Sequence, residues 1–489
     1  MSIREQFLFT MPAPSERMEV VAKKYIDSPA DVSMLNEEQA TAYKGLVDRL
    51  VPGFPSRLSV LKGYAGTGKT FVVTKLVNEY LFNYRTRKVC MTAPTNKAVR
   101  ILKGMAEYEH TNLEYMTVHS MLALKEQITA DGKQIFVRDF KREPSVSKFD
   151  LVIVDEVSML DDSLFAMLMD EMEMCAVRFL FVGDPCQIPP VNRMDCIPFD
   201  KSKQEELDMR VFELTRIVRQ AEGNPLISAT MRVRENIESD AIDLGGDKFI
   251  GTSEGVIEFS SSDPADMDLM SMTLKTYFCS ENFKQDPDFM KVVAWTNKTV
   301  DAVNDLVRGF LYGRKRKKLE VGERLIANTP IMREETILFN TNDELLVVSF
   351  EVKEDVHNGG AVTIKYYEAV VEHLGKNGSL MKSMVWVVHE ESGETFSKVK
   401  EMLQDYAKKQ SRGSQMAAMA WKDYFAFTRR YADVKYNYAI TAHKSQGSTY
   451  VNTMVMLYDI SKNKRVKERN RILYTACSRP RKKLMVVGW

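Results

Sequence analysis

The chain has 489 residues, of which 44% are hydrophobic and 28% are charged, and its 68 basic and 67 acidic side chains leave a net charge of +1. The length fits about three folding units, and no apolar run approaches the roughly 18 residues that span a bilayer, so we expect a soluble, cytoplasmic protein without a membrane segment. Because the net charge is near zero, any nucleic acid must bind in a local positive channel.

The amino-terminal residues 1–30 show no clear period and predict a loosely docked arm. They contain a glutamate and too short an apolar stretch for a secretory signal. A helix is then predicted to begin near Leu35, just before the first strand. The six cysteines of the chain are scattered without a C-x-x-C pair, which favours reduced thiols over zinc or disulfide sites.

Residues 63–70 read GYAGTGKT, a full match to the phosphate-binding pattern G-x-x-x-x-G-K-[ST], between an apolar run and a helix-prone segment. Glycines let the backbone aim successive N–H groups at phosphate oxygens beside a helix N-terminus. Lys69 supplies charge to the β- and γ-phosphates of ATP, and Thr70 supplies a hydroxyl to Mg²⁺. The alternative is a glycine-rich turn with an incidental lysine. The residues expected to contact nucleotide here are Gly63, Gly66, Thr67, Gly68, Lys69 and Thr70.

Four apolar runs of the first half each end in a polar cluster. The clusters read GYAGTGKT, TAPTNKA, DEVSM and GDPCQ. This repeated arrangement predicts a parallel sheet with its functional residues along one edge. The runs are Leu58–Leu61, Val89–Met91, Leu151–Val154 and Phe179–Val182.

Two acids follow the third of these runs. Asp155 is predicted to be the carboxylate on the metal side, and Glu156 the general base that polarises the attacking water. A pair of acids after a strand is also a common helix N-cap signal. The position of the pair, 86 residues after Lys69 on a neighbouring strand, favours the catalytic interpretation.

An excursion from the parallel pattern is predicted between about residues 120 and 148. Two alternating runs flank Asp131–Gly132, and Asp-Gly between such runs is a strong hairpin signal. A second set of parallel-type strands begins at Val292–Trp295 and returns only at Tyr438–Thr441. The interval between them is an insertion that is β-rich from about 320 to 395 and helical from Phe396 to Tyr431.

Basic side chains stand out at three places. The run Arg314–Lys318 is either a nucleic-acid patch or a solvated loop, and the solvated loop is favoured. The tracts LTRIVRQ (214–220) and RILYTACSRPR (471–481) each place an arginine after an apolar stretch. Either arginine could cross a cleft to stabilise charge on the γ-phosphate, although a salt-bridging arginine is the more common case for one tract alone.

Ten tracts in order resemble the motifs of the superfamily-one DNA helicases of the Dda/RecD-like branch. The likeness covers the chain from about Leu35 to its end. The tracts are LNEEQ, GYAGTGKT, APTNKA, TVHSML, VDEVSM, GDPCQIPPV, LTRIVRQ, AWTNK, YAITAHKSQGST and LYTACSRPR.

The resemblance implies roles for particular residues. Gln39 would read the adenine, and Gln187 would sense the γ-phosphate and couple it to the DNA site. Arg219 and Arg479 would be the two arginines that reach the nucleotide from the second core domain. Hydroxyls, amides and helix N-termini bind phosphates without reading bases, which suits a motor that moves over any sequence. The residues implied to touch single-stranded DNA, or to link it to the nucleotide, are Thr95, Asn96, His119, Thr296, Asn297, Thr441 and His443.

The excursion near residues 120–148 resembles the strand-separating pin of this family, with Phe136 as the aromatic that would stack at a fork. Trp421, Tyr424 and Phe425 resemble the segment that braces the pin. Packing into the core explains each of these aromatics equally well. For His119 and His443, the alternative is a hydrogen-bonded structural histidine.

The resemblance implies an α/β fold with two RecA-like parallel-sheet core domains, an inserted β-hairpin pin, and an inserted small β-barrel with a helical segment. We expect the pin near residues 120–148. The expected domain bounds are 1–30 for the arm, 31–215 for the first core domain, 216–315 with 434–489 for the second, and 316–433 for the inserted domain.

The expected activity is ATP-dependent translocation on single-stranded DNA with unwinding of forked duplex, using Mg²⁺. The 5′ to 3′ direction, a monomeric state, a single-strand-binding protein as partner and the cytoplasm of a host bacterium, if a bacteriophage encodes the chain, are implied by resemblance only. A GTPase switch would need an N-K-x-D tetrad, and Val300 stands where its aspartate should be. A nuclease-coupled recombination subunit would need an added domain with an acidic metal cluster, and the sequence shows no sign of one. A catalytically idle DNA-binding subunit would not need Lys69, Asp155 and Glu156, so their presence argues against that alternative.

Overall fold

A computed structural model describes residues 24–25, 29–105, 108–128, 134–139, 141–190, 193, 195–218, 225–244, 255–333, 336–357, 361–375, 379–411 and 414–488. The chain divides into two compact units. One contains 1–124, 138–300 and 440–489, and the other contains 125–137 and 301–439. Most of the expected amino-terminal arm lies outside the described residues. None of the described helices combines the length and the apolar character that a bilayer-spanning segment needs.

The first core sheet has six strands, all parallel, in the order β10-β2-β9-β8-β3-β5. The elements of this part of the chain are β1 (Lys24–Tyr25), α1 (Glu37–Leu50), β2 (Leu58–Gly63), α2 (Lys69–Asn83), β3 (Val89–Ala93), α3 (Asn96–Met105), β4 (Tyr108–Glu109), β5 (Leu113–Thr117), α4 (Val118–Met121), β6 (Leu124–Ile128), β7 (Gln134–Arg138), β8 (Leu151–Val154), α5 (Asp162–Met174), β9 (Arg178–Gly183), α6 (Lys201–Glu206) and β10 (Arg210–Leu214). The predicted parallel sheet is confirmed.

The central strands of this sheet are buried on both faces. Along β2, Val60 packs into the core on one face and Leu61 into the core on the other, because successive side chains of a strand point to opposite sides. Neighbouring strands are in register at their ends, with Leu61 opposite Val182 and Val154 opposite Phe181. The polar segments that follow β2, β8 and β9 therefore meet at one edge of the sheet.

The second core sheet has five strands in the order β11-β22-β21-β12-β20, and the ladders between β11, β22, β21 and β12 are parallel. Its elements are α7 (Pro225–Glu235), β11 (Gly255–Ser260), α8 (Pro264–Phe278), α9 (Glu281–Gln285), β12 (Met290–Ala294) and α10 (Asn297–Tyr312). After the insertion come β20 (Ala439–Thr441), α13 (Ala442–Ser445), β21 (Tyr450–Val455), α14 (Leu457–Ile460), α15 (Val466–Cys477) and β22 (Pro480–Gly488). A strand, β20, is present at the predicted place near Tyr438, and β21 and β22 after it pair in parallel.

The insertion contains an antiparallel sheet in the order β18-β17-β16-β13-β19, a separate ladder between β14 and β15, and two helices. Its elements are β13 (Arg324–Ala327), β14 (Ile331–Arg333), β15 (Thr336–Phe339), β16 (Glu344–His357), β17 (Val362–Leu374), β18 (Leu380–Val388), α11 (Gly393–Lys409), α12 (Gln415–Thr428) and β19 (Val434–Tyr436). That these strands form a barrel stays a prediction.

Strands β6 and β7 form a two-stranded sheet at the place of the predicted pin, and the Asp131–Gly132 turn lies outside the described residues. In the insertion, Trp421 and Tyr424 are buried against Ala407 and Ala420. This packing is the alternative that the sequence left open for these aromatics. A bracing contact with the pin stays a prediction.

Candidate functional site

The phosphate-binding loop lies between the end of β2 and the start of α2, and its shape requires glycine. Gly66 and Gly68 have φ angles of 80° and 81°, a region that other residues rarely adopt. A Cβ on Gly68 would stand 2.5 Å from the Gln39 side-chain nitrogen, and one on Gly63 would stand 2.8 Å from Thr67 Oγ1. The loop backbone therefore needs glycine at positions where the sequence pattern has it.

Lys69 is the first residue of α2, and its ammonium group turns back onto the loop. Nζ donates to the carbonyl oxygens of Gly63 at 2.6 Å and Tyr64 at 3.0 Å. Thr67 donates to the same Tyr64 carbonyl from its hydroxyl, at 2.9 Å. The ammonium charge is thus held inside the loop, where a phosphate would compete with two carbonyl dipoles for it.

Helix α1 positions two predicted segments of the site. Gln39 is buried, accepts from the Asn36 backbone N–H at 3.1 Å in a capping box, and donates from Nε2 to the Thr67 carbonyl at 2.9 Å. The Glu38 carboxylate accepts from the backbone N–H groups of Thr215 and Arg216, each at 2.9 Å. Helix α1 therefore holds both the phosphate-binding loop and the start of the LTRIVRQ tract.

Asp155 follows β8 at the edge of the sheet and is partly buried. Burial and the neighbouring Glu156 carboxylate raise the pKa of Asp155 to about 7, while the backbone N–H of Glu156 and the Lys69 ammonium lower it. That N–H donates to Asp155 Oδ1 at 2.8 Å. Burial is the larger cause of the raised pKa of Asp155, and the adjacent acid adds to it.

Glu156 lies against the second core domain. Its φ of 51° is left-handed, which is uncommon outside glycine and asparagine. A Cβ placed on Gly447, at φ 67°, would stand 3.9 Å from Glu156 Cγ and 3.4 Å from Ala98 Cβ. The proposed base is therefore presented on a strained turn next to the HKSQGST tract.

The donors next to the loop fit Mg²⁺, a hard cation that prefers oxygen ligands and retains several waters. Thr70 offers a hydroxyl and Asp155 a carboxylate whose raised pKa a cation would lower. Among the described residues, no group of three or more histidine, cysteine or acidic side chains could hold a metal on its own. Such a site relies on the phosphates of the nucleotide for its remaining ligands.

Gln187 follows β9, and its side-chain oxygen is buried without a hydrogen-bond partner among the described residues. The next residue, Ile188, is held from the second core domain: its N–H donates to Thr475 Oγ1 at 3.3 Å, and its carbonyl accepts from Gln446 Nε2 at 2.8 Å. The segment predicted to sense the γ-phosphate thus contacts both core domains and retains one unused acceptor.

Of the two predicted arginines, the structure describes Arg479. Arg219 lies outside the described residues. Arg479 is buried, and its guanidinium donates to the Thr475 carbonyl at 2.8 Å, the Ser448 carbonyl at 3.1 Å and Ser478 Oγ at 2.9 Å. In this conformation, all three guanidinium nitrogens of Arg479 bond within its own domain.

Two threonines of the DNA-binding prediction cap helix N-termini. Thr95 Oγ1 accepts from the Ala98 backbone N–H at 3.2 Å at the start of α3, where Asn96 is the first residue. Thr441 Oγ1 accepts from the Lys444 N–H at 3.4 Å at the start of α13. Because each oxygen accepts, its hydroxyl hydrogen can still be donated to a phosphate, beside the positive end of a helix.

Thr296 is bonded differently. Its hydroxyl donates to Asp459 Oδ1 at 2.9 Å, its backbone N–H donates to Asp459 Oδ2 at 2.8 Å, and the Trp295 N–H donates to the same oxygen at 3.0 Å. Asp459 is buried on α14. Thr296 therefore fixes the start of α10, where Asn297 is the first helical residue.

The two predicted histidines are partly buried. Burial lowers the pKa of His119 and of His443, and the smaller opposing effect comes from the nearby acids Asp161 and Glu468. Both imidazoles are therefore neutral at physiological pH. A neutral imidazole can bond to a phosphate or to a neighbouring residue without adding charge to the site.

Two family models match the chain: an AAA domain over residues 34–248 and a UvrD-like helicase C-terminal domain over 436–487. The ATP-dependent DNA helicase Dda of Enterobacteria phage T4 is 26% identical over 400 residues, covering 79% of this chain and 84% of that protein. The ATP-dependent RecD2 DNA helicase of Deinococcus radiodurans is 37% identical over 195 residues, covering 40% of this chain and 23% of that protein. These likenesses support a superfamily-one helicase related to Dda and RecD2.

A solved structure with a similar chain trace is the Pif1 helicase of Candida albicans, with a TM-score of 0.49, 16% identity, and coverage of 93% of this chain and 94% of that one. In the structure described here, Phe136 on β7 is 48% exposed. That exposure is compatible with the predicted stacking role of Phe136, which stays a prediction.

The sequence motifs did not identify one residue at the centre of the site, Tyr474. The Tyr474 hydroxyl accepts from the Ala65 backbone N–H of the phosphate-binding loop at 3.0 Å and donates to Asp184 Oδ2 at 2.7 Å. Tyr474 is buried on α15. Tyr474 lies in the LYTACSRPR tract, but nothing in the tract itself indicates that this tyrosine contacts a loop far away in the sequence.

Proposed function

We propose that this helicase hydrolyses ATP to translocate along single-stranded DNA, 5′ to 3′, and to unwind forked duplex DNA by alternating closure of its two core domains. One observation carries the proposal. The phosphate-binding loop holds Lys69 beside the Asp155–Glu156 pair, and the same loop is bonded by Tyr474 from the second core domain. Nucleotide chemistry and the contact between the core domains thus share one loop.

The nucleotide roles follow from this arrangement. The loop N–H groups and Lys69 would bind the phosphates, Gln39 would read the adenine, and Gln187 would sense the γ-phosphate. Thr70 and Asp155 would hold Mg²⁺, which when bound would neutralise phosphate charge. Arg219 and Arg479 supply charge from the second core domain.

Glu156 is the general base in this proposal. Its carboxylate orients the attacking water and accepts a proton from it. The left-handed turn at Glu156 and the approach of Gly447 support this role, because they place the side chain next to the second core domain. Closure of the two domains would then bring base, water and arginines together only when the nucleotide is a triphosphate.

The DNA-contacting set is Thr95, Asn96, His119, Thr296, Asn297, Thr441 and His443, with Phe136 on the pin. The helix N-termini capped by Thr95 and Thr441 support phosphate contacts, whereas the bonding of Thr296 to Asp459 supports an indirect role for Thr296. The 5′ to 3′ direction comes from the likeness to the Dda/RecD-like branch alone. A single-strand-binding protein as partner, a monomeric state, a cytoplasmic location and the domain bounds stated above remain part of the proposal.

The decisive test is steady-state ATP hydrolysis with and without single-stranded DNA, for the wild type and for Lys69→Ala. We expect strong stimulation by DNA and its loss in the variant, while the variant still binds DNA. Hydrolysis that ignores DNA, or turnover retained by Lys69→Ala, would overturn the proposal. A duplex with a single 5′ or 3′ tail then decides the direction.

A further inference from the structure

Helix α7 of the second core domain brings an arginine to the phosphate-binding loop. The Arg234 guanidinium carbon lies 4.0 Å from the centroid of the Tyr64 ring, and Tyr64 is the second residue of GYAGTGKT. The Arg234 side chain is only 15% exposed. Neither the sequence motifs nor the family resemblance assigned it a role, because it lies 15 residues beyond Arg219 and outside every tract.

The Arg234 guanidinium is incompletely satisfied. Its Nη1 is buried and has no hydrogen-bond partner among the described residues. Among the described residues, the one carboxylate within 4.0 Å of the Arg234 guanidinium is that of Glu235, 4.0 Å from Nη2 and on a side chain that is 61% exposed. A buried donor without a partner destabilises the protein, and more so when the group is charged. A guanidinium in this state is suited to an anion that arrives from outside the protein.

Arg232, two residues earlier on α7, forms an ordinary surface ion pair and so differs from Arg234. Its side chain is 43% exposed, and Nη1 donates to Asp243 at 3.2 Å. Exposed pairs of this kind contribute little to stability. Residues two apart on a helix do not share a face, so Arg232 and Arg234 carry the same charge into different surroundings.

Tyr64 connects Arg234 to the phosphate-binding groups. The Tyr64 carbonyl accepts from Lys69 Nζ at 3.0 Å and from the Thr67 hydroxyl at 2.9 Å. Its ring carries the Arg234 guanidinium on one face. A guanidinium can stack on a ring and donate in its own plane at the same time, which an ammonium cannot do. Arg234 is thus held beside the loop with an N–H left for a ligand.

We propose that Arg234 is a further arginine of the nucleotide site and that its Nη1 donates a hydrogen bond to a phosphate oxygen of ATP. The inference rests on the proposed function, since it takes ATP as the ligand, and it adds to the roles of Arg219 and Arg479. Charge-assisted bonds from guanidinium to phosphate are among the stronger hydrogen bonds in proteins. The same bond would remove the unpaired donor.

The test measures binding of a fluorescent, non-hydrolysable ATP analogue with Mg²⁺ and without DNA. We expect Arg234→Gln to weaken binding about 10- to 100-fold, the range for one hydrogen bond to a charged group. Arg232→Gln is the matched control and should stay within about twofold of the wild type. Arg234→Lys, which keeps the charge, should lie between them. Equal affinity of Arg234→Gln and wild type would overturn the inference.

A second variant separates phosphate binding from support of the loop. Tyr64→Leu removes the stacking partner and leaves the charge of Arg234. If Arg234 acts only through the ring, Tyr64→Leu alone will weaken binding as much as Arg234→Gln, and the double variant no further; that outcome overturns the phosphate contact. Additional loss in the double variant supports it. Failure of the wild type to bind the analogue would instead count against the proposed function itself.

Discussion

Glu156 has a backbone conformation that costs free energy, and residues of this kind cluster at functional sites. The turn places the carboxylate one residue beyond Asp155 and against Gly447. An ordinary helix cap would need no such strain. Glu156 precedes the 3-10 helix Val157–Met159 as its N-cap residue but makes no side-chain capping bond to it, so its carboxylate is not used as a cap. The catalytic role of the acid pair stays a prediction.

Replacing Glu156 with glutamine should slow hydrolysis and leave ATP binding intact. The amide keeps the shape of the side chain but cannot accept the proton, and loss of a general base costs roughly 10²- to 10⁴-fold in rate. Single-turnover hydrolysis measures the chemical step directly. Glu173→Gln, an exposed acid on α5, is the control and should behave as wild type. Unchanged turnover in Glu156→Gln would remove Glu156 from the base role.

His443 makes stability depend on pH in a defined direction. Burial lowers its pKa in the folded protein below the value of about 6.5 that an unfolded chain has. Below pH 6.5 the unfolded state therefore binds more protons than the folded state, and the free energy of unfolding falls as the pH falls. The His443→Gln variant lacks this pH-dependent contribution to the free energy of unfolding.

The expected result is a stability difference between wild type and His443→Gln that becomes less favourable to the wild type on going from pH 7.5 to 5.5. Urea unfolding midpoints at both values measure it, and His119→Gln should give the same sign because burial also lowers the pKa of His119. A difference independent of pH would show that His443 titrates as in the unfolded chain.

At the scale of elements, the strands that the sequence predicted are those that are buried on both faces of the sheet. The four predicted strands of the first sheet, β2, β3, β8 and β9, are central, and their continuous apolar runs are typical of parallel strands covered on both faces. The missed strands β5, β10 and β11 are all at sheet edges. β5 and β10 are only partly buried, so their apolar and polar residues mix and no period stands out.

The element β6–β7 carries a prediction about unwinding. Phe136→Ala removes an exposed ring from β7 and should reduce the rate of fork unwinding more than it reduces ATP hydrolysis stimulated by single-stranded DNA. Ile135→Ala is the matched control, since Ile135 is 39% exposed and points to the opposite face of the strand. Equal losses in both activities would indicate a folding defect and not a pin.

At the scale of the whole molecule, the sequence predicted the residues on each side of the site but not how the sides touch. The loop, the acid pair and the glutamines lie in recognisable tracts. The bond from Ala65 to Tyr474 joins residues 409 positions apart, and that between Ile188 and Gln446 joins residues 258 apart. The contact between Arg234 and the Tyr64 ring likewise joins residues far apart in the sequence. No local pattern reports such contacts, because they exist only after both core domains have folded and met.

The contact at Tyr474 provides the last prediction. Tyr474→Phe keeps the ring in the core but leaves the Ala65 N–H and one oxygen of the buried Asp184 without their partner. Unsatisfied buried groups of this kind cost about 1–3 kcal/mol, so the urea midpoint of the nucleotide-free protein should fall. Tyr84→Phe, a partly buried tyrosine of the first core domain, is the control and should be near neutral. If Tyr474→Phe is as stable as Tyr84→Phe, the hydroxyl does not join the loop to the second core domain in solution, and the proposed closure would have to act through Gln446 and Ile188 instead.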